Sequence, residues 1–169
     1  MRIVTWNLNG LRAAHRKGLD NFIDKIDADI WLFQEVRALP EQMPDNWKPA
    51  DNHEVIWHPA QKKGYSGVST WSRVEMSEEG RGISTDVDIG DSEGRVLYTK
   101  HGILHCINIY LPNGGANIQR QRFKDKWLED LLIWANKFID IDEPVLLCGD
   151  LNIAHTENDI WNPSGNKNT

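Results

Sequence analysis

The chain has 169 residues and a formal net charge of −6, long enough for one domain with a real core. Its 40% hydrophobic and 26% charged residues are ordinary for a soluble globular protein, and the acidic balance argues against attraction to nucleic acid by bulk charge. No apolar run approaches the roughly 20 residues that span a bilayer, and no signal peptide precedes the first strand pattern, so no membrane partner is expected and the chain reads as cytoplasmic.

In chain order, Arg2 to Asn7 reads as a strand, with Asn7, Leu8, Asn9 and Gly10 as its exit. Leu11 to Gly18 is a basic connection carrying Arg12, Arg16 and Lys17. Leu19, Phe22, Ile23 and Ile26 fall at helical spacing and predict a short helix. Ile30 to Gln34 is a buried strand with Glu35 at its end, and residues 38 to 53, with three prolines, are an irregular excursion. Glu54 to His58 and Ser66 to Trp71 are two further strands joined by Pro59 to Tyr65, which carries Lys62 and Lys63. Glu75 to Glu93 holds seven carboxylates against the single Arg81 and reads as a solvated loop with a strand edge.

Arg95 to Lys100 and Ile103 to Tyr110 predict a hairpin turning near His101 and Gly102. Leu111 to Asn117 is loop, given Pro112 and two adjacent glycines. Ile118 to Ile139 predicts the longest helix, with Phe123, Trp127, Leu128, Leu131, Ala135, Phe138 and Ile139 as its apolar stripe. Arg120, Arg122, Lys124 and Lys126 crowd its first turns against the macrodipole, which suits either an anionic partner or a solvated face. Val145 to Cys148 is the last apolar run and fits a strand buried on both faces. The two cysteines, Cys106 and Cys148, each sit in an apolar run and are expected as buried thiols of a reducing compartment. Most of the eight scattered tryptophans are expected in the core. Strands alternating with helices indicate a layered α/β domain.

One pattern recurs along this order. Apolar strands end in polar groups that packing does not need: Asn7, Glu35, Tyr110 with Asn113, and Asp150 with Asn152. In layered α/β proteins sites lie beyond strand ends. If these ends converge, they offer a hard oxygen ligand for Mg²⁺ in Glu35 and a proton acceptor in Asp150. They also offer donors for a charged phosphate in Asn7, Tyr110, Asn113 and Asn152, a set suited to attack on a phosphodiester. Taken singly, each residue has a plainer reading. Gly-Asp-Leu-Asn suits a turn, Glu35 could pair with Arg37, Tyr110 could be core, and Asn113 sits in a Pro-Asn-Gly-Gly turn. The six histidines show no metal spacing.

The segments TWNLNGLR (5–12), LFQEV (32–36), KGYSGV (63–68), EGRV (93–96), IYLPNGG (109–115), GDLNIAH (149–155) and NPSGNKN (162–168) resemble, in order and spacing, the exonuclease III family of abasic-site (AP) endonucleases. That family lies within a superfamily that also holds pancreatic-type deoxyribonucleases, inositol polyphosphate phosphatases and sphingomyelinases. The resemblance implies a four-layered α/β sandwich of two mixed sheets flanked by helices. It implies Mg²⁺, with Mn²⁺ as a substitute, and a partner in double-stranded DNA, cut 5′ of abasic sites in base-excision repair or trimmed at 3′ ends. Glu35 would bind the metal and Asn7 would help form the site. Tyr110 and Asn113 would contact the scissile phosphate, Asp150 would orient or deprotonate the water, and Asn152 would stabilise the developing charge. Arg12, Lys62 and Tyr65 would face the DNA backbone, Asn162 and Asn166 would lie beside the abasic site, and Arg120 or Arg122 would reach into the duplex.

The sequence departs from the family in two ways. Asn9 stands where some members carry an acidic residue. The chain also stops at Thr169, just after the Asn166 motif, whereas members run on for about another third. That third holds a further aspartate, an Asp-His pair and the apolar pocket for the abasic sugar. Residues 1–169 therefore read as the N-terminal two thirds of one such domain. A complete member would be a monomer. A shortened one would have little activity alone and would associate through exposed sheet edges. The other reading from the residues is a related phosphodiesterase acting on an inositol phosphate or a lipid headgroup.

Overall fold

Ile30–Gln34 forms a strand whose five residues are all buried, and it anchors the first of two mixed sheets. The computed structural model describes the chain except residues 46, 50, 51, 84–91, 116 and 167–169, and gives Asn166 by backbone alone. Part of the acidic segment and the end of the NPSGNKN motif thus lie outside the described residues. The first sheet has the order β1 (Ile3–Asn7), β2 (Ile30–Gln34), β4 (Val68–Ser72), β3 (Glu54–His58). The second has the order β5 (Glu78–Arg81), β6 (Val96–His101), β7 (Leu104–Tyr110), β8 (Val145–Asp150). β1 runs parallel to β2 and β7 parallel to β8, while the remaining pairings are antiparallel.

Alternation of side chains along the strands builds the layers. On β2, Ile30 and Leu32 point between the sheets, where they meet Cys106, Leu146 and Cys148. Trp31 and Phe33 point the other way, onto Leu11, Leu19 and Ile23 of helices α1 (Leu11–Arg16) and α2 (Leu19–Ile26). On β7, Ile107 and Ile109 face outward onto Trp127, Leu128 and Leu131 of α3 (Ile118–Ala135). The result is the expected sandwich of four layers: helices, sheet, sheet, helix. Burial of side chains such as Trp31 and Ile107 contributes roughly 1.5–3 kcal/mol each.

A polar cluster sits inside the largely apolar interface between the sheets. The Gln34 amide donates to Thr5 Oγ1 (2.9 Å), to the Leu32 carbonyl (2.8 Å) and to Asn108 Oδ1 (2.7 Å). Asn108 in turn donates to the carbonyls of Phe33 and Ser69, both at 3.1 Å. Buried amides are tolerable only when bonded in this way, and the geometry they demand sets the register of one sheet on the other.

Several expectations need correction. Leu11–Arg16 is a helix rather than a plain connection; with only Leu11 buried, it carries too few apolar positions to announce itself. The long helix ends at Ala135 and continues as a 3₁₀ turn, Asn136–Phe138. Its packed stripe includes Trp134, while Phe123 (36%) and Ile139 (73%) are exposed. β8 is not buried on both faces. It is the edge of its sheet, so Leu146 and Cys148 turn inward while Val145 (38%) and Leu147 (41%) face out. Cys148 is accordingly half-buried, although Cys106 is fully covered and burial pushes its thiol up to about 12. Two tryptophans leave the core, Trp6 at the β1 edge and Trp161 near the chain end. No helix among the described residues is long and apolar enough to cross a membrane.

Candidate active site

The parity that fills the space between the sheets also carries Asn7, Tyr110 and Asp150 to its open end. Thr5 and Asn7 share a face of β1, Asn108 and Tyr110 share one of β7, and Cys148 and Asp150 share one of β8. β1 and β8 are the edges on the same side of the two sheets and meet there, and Asn7 Nδ2 donates to Asp150 Oδ2 at 2.7 Å. Asp150 Oδ1 accepts from the backbone N–H of Asn152 at 3.1 Å, so both carboxylate oxygens are oriented. Asn7 is itself held, since its Oδ1 accepts the Asn9 N–H at 2.9 Å. Gly149 allows the approach: it has φ +142°, and a Cβ there would overlap the backbone of Ile109 on β7.

Glu35 arrives differently. It follows β2 with φ +50°, and Arg37 has φ +51°, a left-handed pair that turns the chain back toward the interface between the sheets. Bonds from Val36 N–H to the Gly67 carbonyl (3.0 Å) and from Arg37 N–H to the Ser66 carbonyl (2.8 Å) hold the turn. Asn9, Ser66 and Asn152 are also non-glycine residues at positive φ around this end of the molecule. Such strain persists only where surroundings over-determine it, and it clusters at functional sites. Glu35 Oε1 accepts a short hydrogen bond from the Tyr110 hydroxyl, and Oε2 pairs with Arg37 at 2.6 Å. Burial first, then the hydrogen bond and charge of Glu35, raise the Tyr110 phenol well above its ordinary value.

Beside these groups lies an open groove of about 1170 Å³, lined among others by Lys62, Tyr65, Tyr110, Asn113, Arg120, Asp150 and Asn152. Asn152 Nδ2 donates to the Leu111 carbonyl at 2.9 Å, and Asn113 Oδ1 accepts from Gly115 N–H at 2.9 Å. Lys62 lies 5.3 Å over the Tyr65 ring. Arg120 does not oppose its helix unaided, because it forks onto Glu93 at 2.9 and 2.8 Å. Burial raises the Glu93 carboxyl, but hydrogen bonds from Arg120 and then Arg95 more than reverse this and hold it below the usual carboxylate range.

The structure thus brings together Asn7, Glu35, Tyr110, Asp150 and Asn152, with Lys62, Tyr65, Asn113 and Arg120 along the groove. Arg12 and Arg122 are exposed on α1 and α3, with no described contact to the groove residues. Asn162 is exposed at φ +73° and accepts from Ser164 and Gly165, and the side chain of Asn166 lies outside the described residues. Residue patterns assigned no role to Arg95 and Glu93, and read Lys124 as part of a basic face open to an anionic partner or solvent, which its burial corrects. Lys124 is buried on α3 and donates to the Asn152 carbonyl at 2.9 Å, pinning the loop after β8. The available signal for Lys124 was a cation three residues before Trp127, on the same helix face.

Among the described residues no group of three or more His, Cys, Asp or Glu side chains could hold a metal ion. A hard cation such as Mg²⁺ needs only one or two protein carboxylates, completed by water and phosphate, and Glu35, bonded to the groove residue Tyr110 and paired with Arg37, is a carboxylate of that chemistry.

Two strand-end carboxylates thus stand at one end of a sheet-on-sheet sandwich, beside a groove whose lining includes Lys62, Arg95 and Arg120, an arrangement met in hydrolases. The chain belongs to the endonuclease/exonuclease/phosphatase family, whose sequence profile matches residues 4–169. It is 38% identical over 170 residues to an exodeoxyribonuclease of Bacillus subtilis, covering 99% of this chain and 65% of that protein. It is 32% identical to a DNA-(apurinic or apyrimidinic site) endonuclease of Dictyostelium discoideum, covering 99% of this chain and 46% of that protein. Among solved structures, a 3′-5′ exonuclease of Neisseria meningitidis superposes with a TM-score of 0.85 at 25% identity, over 98% of this chain and 63% of that one. An AP endonuclease of Archaeoglobus fulgidus superposes at 0.83 and 25% identity, over 99% and 63%. The chain therefore spans less than two thirds of the length of these relatives.

Proposed function

We propose that the protein to which this chain belongs hydrolyses phosphodiester bonds of double-stranded DNA, 5′ of abasic sites and at 3′ ends. The observation that carries this reading is the paired geometry at one strand end: Asn7 on Asp150, and Tyr110 on Glu35. Asp150, with one oxygen fixed by Asn7 and the other by the Asn152 N–H, is set to orient the attacking water and accept its proton. The Asn152 amide spends one N–H on the Leu111 carbonyl and offers the other to the charge that develops on phosphate. The amide of Asn113 supplies a further donor, Tyr110 would turn its single O–H from Glu35 to the phosphate, and Asn7 keeps Asp150 in place. Glu35 would hold Mg²⁺ or Mn²⁺; when bound, such an ion offsets charge on the phosphate oxygens. Lys62, Tyr65 and Arg120 would face the DNA backbone, and Arg12, Arg122, Asn162 and Asn166 would contact DNA farther out. The relatives named as exodeoxyribonuclease and AP endonuclease support this substrate class.

We also propose that residues 1–169 by themselves are weakly active or inactive. This rests on the coverage of the relatives and on Val145 and Leu147, apolar side chains left open at the β8 edge beside Asp150. The test uses an end-labelled duplex with one abasic-site analogue, with Mg²⁺ and with EDTA. Site-specific cutting is expected once the chain is extended by the C-terminal third of a relative, and is expected to vanish in Asp150→Asn. Failure of the extended chain, with hydrolysis of a generic phosphodiester unaffected by abasic duplex, would transfer the site to another substrate.

A further inference from the structure

Arg95 is a charged side chain that exposes only 3% of its surface, and all three of its nitrogens have partners. Nε donates to Glu93 Oε2 at 2.6 Å, one terminal nitrogen to the Tyr110 carbonyl at 2.8 Å, and the other to the Tyr65 hydroxyl at 3.2 Å. Its guanidinium carbon lies 4.6 Å over the Tyr110 ring and 6.0 Å from the Tyr65 ring centroid. The backbone closes the same contact from the other side, because Tyr110 N–H donates to the Arg95 carbonyl at 2.8 Å. Glu93 meanwhile takes both terminal nitrogens of Arg120, and Arg120 also reaches the Tyr65 hydroxyl at 3.2 Å. A single buried plane thus touches the groove wall (Tyr65, with Arg120 through Glu93) and the residue that bonds Glu35 (Tyr110).

We propose that Arg95 is a positioning residue: by stacking on Tyr110 and clamping its carbonyl, it holds the phenol on Glu35 and ties that pair to the Tyr65–Arg120 wall. The part played by Glu35 and Tyr110 toward metal and phosphate rests on the function proposed above, whereas the positioning itself does not. A planar fork is required for this. Lysine keeps the charge beside Glu93 but can neither stack in the same way nor donate in three fixed directions. A residue present only to balance Glu93 would tolerate lysine.

The chain has three tyrosines, Tyr65, Tyr98 and Tyr110, so ¹³Cζ-tyrosine labelling gives a readable spectrum, with Tyr110→Phe assigning the key line. At one neutral pH, Glu35→Ala should move the Tyr110 line of the wild-type chain, because it removes the acceptor of the phenol hydrogen bond. In the Arg95→Lys background the same Glu35→Ala change should leave that line nearly where it is, because a phenol no longer stacked and clamped has already left Glu35. A full Glu35→Ala shift in the Arg95→Lys background would overturn the proposal. If Arg95→Lys does not fold, Glu93→Gln leaves the guanidinium in place but unanchored, and a full Glu35→Ala shift there counts against the proposal equally. A second readout is Mn²⁺ affinity by electron paramagnetic resonance. Arg95→Lys should weaken it by about tenfold, as loss of an outer-shell partner does, and should add nothing to Tyr110→Phe. Absence of Mn²⁺ binding in the wild-type chain would sink the metal reading of Glu35 while the position of the Tyr110 line still decides on Arg95.

Discussion

β2 and β8 are short apolar strands of similar make-up, and each delivers a carboxylate to the same end of the molecule. β2 has a neighbour on both sides and every residue buried, and Glu35 leaves it through a turn bonded to the β4 side. β8 has a neighbour on one side only, and Val145 and Leu147 stand open. Asp150 is fixed instead by side chains from elsewhere, Asn7 across the sheets and the Asn152 backbone after it. One carboxylate is positioned by sheet packing, the other by a few hydrogen bonds at an edge. Substitutions at the two places should therefore fail in different ways.

The largest difference should appear in activity of the extended enzyme. Asp150→Asn is expected to lower the cutting rate on the order of 10³-fold or more, with no recovery at any metal concentration. Glu35→Gln should lose activity comparably at low metal but regain part of it as Mg²⁺ or Mn²⁺ is raised, as judged by rate against metal concentration. Equal rescue of both would erase the distinction drawn between a proton acceptor and a metal ligand.

Stability should separate the strands next. Leu32→Ala on β2 should cost about 2–5 kcal/mol in urea unfolding, and Leu147→Ala on β8 less than roughly 1 kcal/mol, because a half-open side chain leaves no cavity. Leu147→Lys should instead reduce concentration-dependent association of the 169-residue chain in sedimentation, since an edge charge blunts strand pairing. A monodisperse wild-type chain would show that the β8 edge is harmless.

The smallest effects concern pH. Burial lowers His101, the last residue of β6, whose ring meets Ser72 of β4 at 3.2 Å and Thr99 at 2.9 Å. The unfolded chain then takes up this proton first, so stability is whole above about 6.5 and declines as pH falls below it toward the depressed native value. Glu93, also depressed, contributes fully above about 4.5 and loses that contribution as pH falls through its lower native value. Urea midpoints across acid pH should show both steps, with His101→Gln removing the upper one and Glu93→Gln the lower.

Much of this was readable in residue order. β1, β2 and the β6–β7 hairpin follow from apolar periodicity bounded by turn residues, and their polar ends flagged Asn7, Glu35 and Tyr110. The edge position of β8 was not readable, because Val-Leu-Leu-Cys describes a strand without saying how many neighbours it has. Arg95 was hidden because its role is defined by rings contributed from Tyr65 and Tyr110, distant in sequence. Gln34 and Asn108 were overlooked although a lone amide inside an apolar strand is itself a signal, since packing alone would never select it.

That amide pair has a mechanical consequence. Gln34 and Asn108 rivet two sheets that touch elsewhere mostly through greasy, slippery side chains, and Ser72 on His101 is a second rivet toward the opposite end of the strands. One rivet would leave a pivot, whereas two do not. Tyr110 lies two residues beyond the first, about 7 Å along the strand. A twist or slide of one sheet on the other must break a buried polar contact at one rivet or the other, so the place that most needs a steady hand is braced against both kinds of motion.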